Sequence, residues 1–371
     1  MSPGLSPSRV SAGQVRAFRL ANQHLTDPLP AERLVDVVAA VGGVQAQVMS
    51  AAELALWARS KGLTPGHVQE SLWERRELVK TWCMRGTLHL LPAREFGLWV
   101  AVLARRTQWQ RPAWLRWFGA TLEEMEGLIA TIDARLDGKG MTREEVAALA
   151  PKHLRVELLR GWGSHLKPAA YQGVLAFGPN RGRNVTFVHP ERWLGRVERP
   201  DGEEALRELV RRYLHAYGPA THDDFARWWG GEAAPARRLL KSLADELVQV
   251  EAEGRTAWIL AEDERLLRSL DPPRSVHLLP NFDVYTLHYR PRDALIPAGT
   301  YERVFRTAGW ISPVVLYDGA VAGVWEHKKR PKKVELRVVL FVRETKRLRA
   351  GIQRESRRLA EFLSLPVELQ I

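Results

Sequence analysis

One cysteine, Cys83, occurs among the 371 residues. A lone thiol forms no intramolecular disulfide and cannot build a cysteine metal site. Lying in an apolar run, it reads as a small core hydrophobe. The eleven histidines are scattered, with no HxH or HxxxH pair. No structural metal and no cofactor are therefore expected. No apolar run approaches the ~20 residues that a bilayer crossing requires, and the opening "MSPGLSPS" lacks the apolar stretch of a signal peptide. These absences predict a cytoplasmic protein of a prokaryote-like cell, associated with the nucleoid and with no membrane partner. Also missing are a Walker loop, a GxGxxG and a Ser/His/Asp order. Acidic residues are in deficit: 43 Asp and Glu face 55 Lys and Arg, a net charge of +12. An excess of this size favours a polyanionic partner, nucleic acid first. The other reading is a basic enzyme whose charge serves solubility.

What is present is repetition. The length allows roughly two to four folding units. In the first stretch a helix is predicted over about 31–41, because Leu34, Val37, Val38 and Val41 share one face. Gly42-Gly43 ends it, as a C-cap needing positive φ would. A further helix is predicted from Ser50, with Glu53 completing an S-x-x-E capping box. Another is predicted from Thr64-Pro65 to near Glu77. Then "LVKTWCMRGTLHLLP" reads as two strands about a turn at Arg85-Gly86. Helices followed by a hairpin suggest a winged helix-turn-helix. The pattern returns from Thr142, with Glu145 three residues on, to the hairpin "GVLAFGPNRGRNVTFVHP". It returns again from Thr221, with Asp224 three on, to the hairpin "LVQVEAEGRTAWIL".

The last hundred residues change character. "SVHLLPNFDVYTLHYRPR" and the segment from Gly309 to Val342 alternate in the strand period, with a DG turn at Asp318-Gly319. They predict a small antiparallel barrel or curled sheet, with the basic amphipathic tail helix lying across it. The expected fold class is α+β: three tandem winged helix-turn-helix modules (10–118, 119–198 and 199–268), then a C-terminal β-barrel with a terminal helix (269–371).

Candidate chemistry centres on "GGVQAQ". In an extended link, Gln45 and Gln47 project together and Ala46 points into the fold. Glutamine is no general base at neutral pH, but its amide can hold a water, a phosphate or a base edge. Alternatively the two amides cap neighbouring helix ends. The cluster "HKKRPKK", with Lys328, Lys329, Arg330, Lys332 and Lys333, is either a solvated turn or a hairpin tip set on phosphates. Arg181 and Arg183, in the turn "GPNRGRN", carry the same two readings. Trp109, Trp114 and Trp117 lie among Arg105, Arg106, Arg111 and Arg116, either as a stacking surface for bases or as a core stripe flanked by solvated arginines. Asp283 is a lone acid among apolar residues, where a carboxylate normally accepts nearby backbone hydrogen bonds.

Taken in order, "GGVQAQ", "SAAELALWAR", "RGTLHLLPAREF", "LLPNFDVYTLHYRPR" and "DGAVAGVWE" resemble the winged-helix DNA glycosylases of the AlkZ/AlkX (YcaQ-like) family, over about residues 13–345. The resemblance implies a C-shaped DNA-binding cleft and a monomer acting on double-stranded DNA that carries alkylated bases or interstrand crosslinks. It implies excision of cationic N3- or N7-alkyl purines by a monofunctional glycosylase, as in base excision repair. The family's catalytic Gln-Φ-Gln motif, the AlkZ type, falls on Gln45-Ala46-Gln47, with a small middle residue. Arg85 and His89, at the first hairpin's turn and second strand, are placed beside the motif by adjacency. They could equally serve the hairpin itself. The alternative function is a non-enzymatic winged-helix DNA binder, whether a transcription regulator or a damaged-DNA binder. No dimerisation helix or effector pocket is evident for a regulator.

Overall fold

The computed structural model describes residues 8–160 and 163–371. Most of the polar opening stretch, residues 1–7, lies outside the described residues. Helices and strands are mixed throughout, and the chain divides into two compact units: residues 1–68 with 209–371, and residues 69–208. Residues 10–68 of the first predicted module thus fall in one unit and residues 69–118 in the other.

In the first unit, helix Ala12–Asn22 opens on a capping box between Ser11 and Gln14. A 3-10 turn, Ala31–Arg33, leads into helix Leu34–Ala40, whose Leu34, Val37 and Val38 are buried. Helix Met49–Trp57 is apolar on most sides and correspondingly buried. It begins one residue before the predicted start. Val48 occupies the N-cap and no side chain caps it, so the expected Ser50–Glu53 capping box does not form. Helix His222–Trp229 does open on the predicted box of Thr221 and Asp224. The strands Leu247–Ala252 and Arg255–Leu260 form a hairpin, and Ser8–Val10 pairs parallel to the first of them. Val10, Val15, Phe18, Val250, Ala252, Ile259 and Leu267 make the local core.

The C-terminal part of this unit corrects two expectations. The sheet is open, not a closed barrel. Its strands run in the order Val276–Leu279, Val314–Tyr317, Ala320–Lys329, Val334–Leu340 and Val367–Gln370. The last strand lies parallel to its neighbour, because the chain returns through helix Lys346–Leu363. That helix packs on the first strand so closely that a Cβ at Gly351 would stand 2.4 Å from Val276. The second correction concerns "NFDVYTLH", which is not a strand. Asp283 accepts the backbone N–H of Tyr285 and caps a short helix, Val284–His288.

In the second unit, the hairpin Leu78–Trp82 with Leu88–Pro92 turns through Arg85 and Gly86, both at positive φ. Helix Arg143–Ala147 opens on the predicted box of Thr142 and Glu145. Strand Asn184–Val188 pairs with both Ala176–Arg181 and Met141–Thr142. Val79, Phe96, Val100, Ala176 and Val188 form one cluster, so the two hairpins of this unit share a core. Cys83, in this unit, is also buried, and burial pushes its thiol up to about 12. It is inert packing, as read from the sequence.

Candidate active site

The glutamine turn is built by the helix that precedes it. Gly43 donates to the carbonyl of Val38 at 2.9 Å and Gly42 to that of Ala39 at 3.0 Å, a Schellman ending. The carbonyls of Val37, Val38 and Ala39 are satisfied by backbone N–H groups. Gly42 and Gly43 have φ of +66° and +95°, and the chain leaves them extended through Val44–Gln45. Ala46 is fully buried, Gln45 is half-buried and Gln47 is exposed. The two amides therefore flank a residue that anchors the link from below.

Both sides of this turn are braced within the first unit. Upstream, the Tyr217 hydroxyl donates to the Val41 carbonyl at 2.7 Å. The Trp228 ring closes off Gly42, where a Cβ would come within 3.0 Å of it. Gly42→Ala combines that contact with a left-handed backbone, so thermal unfolding should show a loss of roughly 1–3 kcal/mol. Downstream, helix Met49–Trp57 is held at its far end. The Trp57 indole donates to the Arg358 carbonyl at 3.3 Å, and the Arg358 guanidinium donates to the carbonyls of Trp57 and Ser60, both at 3.2 Å. Just beyond, Arg59 donates twice to Asp283, at 2.7 and 2.9 Å, with both side chains fully buried. Arg59 also donates to the carbonyl of Ala55 at 2.9 Å and to the Gln23 amide oxygen at 3.3 Å. Asp283 thus does more than the local capping expected of it. Tyr217, Trp228 and Arg59 are not among the residues that the sequence singles out. The available signal was an aromatic-rich stretch, "HAYGPATHDDFARWW".

The other predicted site residues fall into separate groups. Arg85 is half-buried in the hairpin turn at a φ of 54°. His89 is 1 % exposed, and its Nδ1 lies 3.0 Å from the Thr87 carbonyl. Burial first, then the charge of Arg85, pushes its pKa down to about 3. A buried neutral ring offers no charge to a phosphate. Its folded pKa lies below the ordinary 6.5, so the unfolded chain takes up the proton first as pH falls. The associated stability is complete above about pH 6.5 and drains toward pH 3, at roughly 1.4 kcal/mol per pH unit for one proton. His89→Gln should flatten the melting-temperature profile between about pH 6 and 4 by that one-proton slope.

Arg181 is engaged structurally. It donates to Glu145 at 2.8 Å and to the Gly140 carbonyl at 2.7 Å, while Arg183 is exposed beyond Gly182. At the tip between Ala320–Lys329 and Val334–Leu340, Arg330 pairs with Glu335 at 3.0 Å and Lys333 with Glu368 at 2.7 Å. Lys328, Lys329 and Lys332 are exposed and make no ion pair among the described residues. The tryptophan cluster divides. Trp109 is buried, Trp114 packs on Phe118 with ring centroids 4.2 Å apart, and Trp117 is 85 % exposed. Among the described residues, no group of histidine, cysteine and carboxylate side chains could hold a metal. No described helix is long and apolar enough to cross a membrane.

Comparison with known proteins shows the family of the chain. Residues 38–362, which include the glutamine turn, match the family described as DNA glycosylase AlkZ-like. A Streptomyces sahachiroi protein named interstrand DNA cross-link repair glycosylase is 39% identical over 329 residues, covering 86% of this chain and 88% of that one. The solved structure of Streptomyces sahachiroi DNA glycosylase AlkZ superposes with a TM-score of 0.87 at 35% identity, covering 98% of this chain and 100% of the other. Similarity of that extent and identity shows more than a shared fold: the chain belongs to the AlkZ-like family of DNA glycosylases.

Proposed function

We propose that this glycosylase hydrolyses the N-glycosidic bond of N3- and N7-alkyl purines in duplex DNA, with Gln45 and Gln47 as its catalytic pair, and unhooks interstrand crosslinks made through such bases. The observation that carries the reading is the braced turn that sets two amides on either side of a buried alanine, within the matched span. An N-alkylated purine is already cationic and departs as a neutral base, so the enzyme need not protonate it. What remains is to hold a water near C1′ and to favour an oxocarbenium-like sugar. Amide oxygens accept hydrogen bonds from that water and turn negative dipole ends toward the developing charge, a preorganised electrostatic contribution. Gln47 is exposed and Gln45 half-buried, which suits a bulky nucleotide that stays tied to its partner strand and cannot be flipped into a closed pocket. The name of the Streptomyces sahachiroi relative, interstrand DNA cross-link repair glycosylase, agrees with this substrate. A duplex carrying one N7-methylguanine should break at that position in alkali after incubation with the protein. An intact strand would remove the reading.

The architecture that presents the site is, in this proposal, three tandem winged helices over 10–118, 119–198 and 199–268, followed by the C-terminal sheet and helix at 269–371, in a monomer. Two local repeats support it. Met141–Thr142, entering the helix capped by Thr142, pairs with the second strand of its hairpin. Ala220, just before Thr221, bridges to Trp258 in the second strand of its own. In each case an arginine of the hairpin turn reaches the capping acid: Arg181 to Glu145 and Arg255 to Asp224, both at 2.8 Å.

Arg85, Arg183 and the lysine-rich tip are the proposed phosphate contacts. Since Arg330 and Lys333 are occupied by acids, Lys328, Lys329 and Lys332 are the effective cations. Neutralising those three to glutamine should lower the slope of log affinity against log salt by about 3 and leave the melting temperature unchanged. Anisotropy titrations at several salt concentrations check this. An unaltered slope would assign the tip to solvent.

A further inference from the structure

A second concave feature of the first unit gathers like charges. A cavity of 480 Å³ is lined by Asp224, Arg227, Arg255, Arg290, Pro291 and Arg292. One carboxylate faces four guanidinium groups; its Oδ2 is hydrogen-bonded and its Oδ1 is buried with no hydrogen-bond partner. Asp224 accepts from Thr221 in the capping box, meets Arg255 at 2.8 Å and meets Arg227 at 3.5 Å. Arg290 donates to the carbonyls of Leu287 and Tyr289, at 3.2 and 2.6 Å, which orients its head group without neutralising it. Arg292 stacks on Phe305 at 3.8 Å and donates to the Tyr301 hydroxyl, and its Nε is buried without a hydrogen-bond partner. Arg227 is 61% exposed at the rim. The lining therefore has a charge excess of three. Burial first, then the charge of Arg292, pushes the Arg290 pKa down to about 10. Preoriented guanidinium groups of this kind match the oxygens of a phosphate group.

We propose that this arginine cavity is a phosphate site that seats one backbone phosphodiester of the DNA, away from the reacting nucleotide. The proposal rests on the chain being a glycosylase of duplex DNA. What favours a DNA phosphate over a free anion is the helix that supplies the rim. His222–Trp229 carries Arg227 toward the cavity, and its next residue, Trp228, closes off Gly42 at the head of the glutamine turn. A phosphate held here is held by the same helix that braces the catalytic turn. Contacts of this class position the protein and carry no sequence information.

The test compares wild type with Arg227→Gln, Arg227→Glu and Arg227→Lys, and with Arg33→Gln as an exposed control elsewhere. Affinity for duplexes with and without an N7-methylguanine is read by anisotropy across a salt series. Excision at saturating protein and melting temperature are read on the same preparations, and Arg227 is exposed enough for the fold to survive its replacement. Arg227→Gln should weaken both duplexes by the same factor, up to about tenfold, and lower the salt slope by about 1. Arg227→Glu should weaken them further, Arg227→Lys should restore most of the loss, and Arg33→Gln should match wild type. Excision at saturation should stay near the wild-type rate. Wild-type affinity and slope in Arg227→Glu would overturn the proposal. So would slowed excision at unchanged affinity, which would mark a role in bracing the turn. Stabilisation of wild type by inorganic phosphate, with no effect of the variants on DNA affinity, would make the cavity a free-anion site and overturn the DNA assignment. If wild type itself failed to excise, the glycosylase reading would fail independently of the cavity.

Discussion

Gln45→Ala and Gln47→Ala should each slow single-turnover base release by on the order of 10²-fold or more, because a preorganised polar contact to a developing charge is typically worth roughly 2–4 kcal/mol in the barrier. The double variant should lose less than the product of the two, since both amides act on one water and its sugar. DNA affinity and melting temperature should stay close to wild type. The geometry supports that separation of effects. The backbone turn is made by Gly42 and Gly43, the carbonyls of Val37, Val38 and Ala39 are satisfied by backbone N–H groups, and Ala46 supplies the buried anchor. If the variants instead unfolded early and excised normally per folded molecule, the amides would be structural and the pair would lose its catalytic assignment.

Asp283→Ala should be among the most destabilising single changes in the chain. It leaves Arg59 fully buried with its charge uncompensated. Breaking one side of such a pair costs about 3–5 kcal/mol, most of it the penalty for the charge left behind. It also removes the acceptor for the Tyr285 N–H that starts helix Val284–His288. Denaturant unfolding of Asp283→Ala and of the double variant Arg59→Met/Asp283→Leu separates the contributions. The double variant should recover much of the loss, because an apolar replacement of the whole pair removes the stranded charge. A single variant as stable as wild type would mean that Arg59 finds another acceptor or water.

The contrast between these two predictions shows which features could be read from the sequence. The glutamine turn was legible because its determinants are local: two glycines, an alternating dipeptide step and a preceding apolar helix face all lie within about three turns of chain. The capping boxes at Thr142 and Thr221 were legible for the same reason, while Ser50 failed because Val48 starts its helix one residue earlier. Asp283 was visible as an isolated acid, but its partner Arg59 is 224 positions away and nothing local points to it. The closed barrel was expected from strand alternation alone. Closure depends on where the last strand pairs, and Val367–Gln370 is delivered to the sheet edge by the helix before it. The alternation in "NFDVYTLH" misled because a single capping aspartate converts the segment to helix. His89 was judged by its neighbours in sequence, whereas its burial is set by the packing of the hairpin. The arginine cavity draws on three separate segments between residues 224 and 292, so no window of sequence displays it.

The most direct test of the account is a single-turnover reaction of the wild-type protein with a duplex joined by one nitrogen-mustard crosslink between N7 positions of guanines, resolved on a denaturing gel before and after alkali. The crosslinked species should separate into single strands, and the strand which lost its base should then break at that position in alkali. A duplex that is bound tightly yet stays crosslinked, with no alkali-labile site, would contradict it.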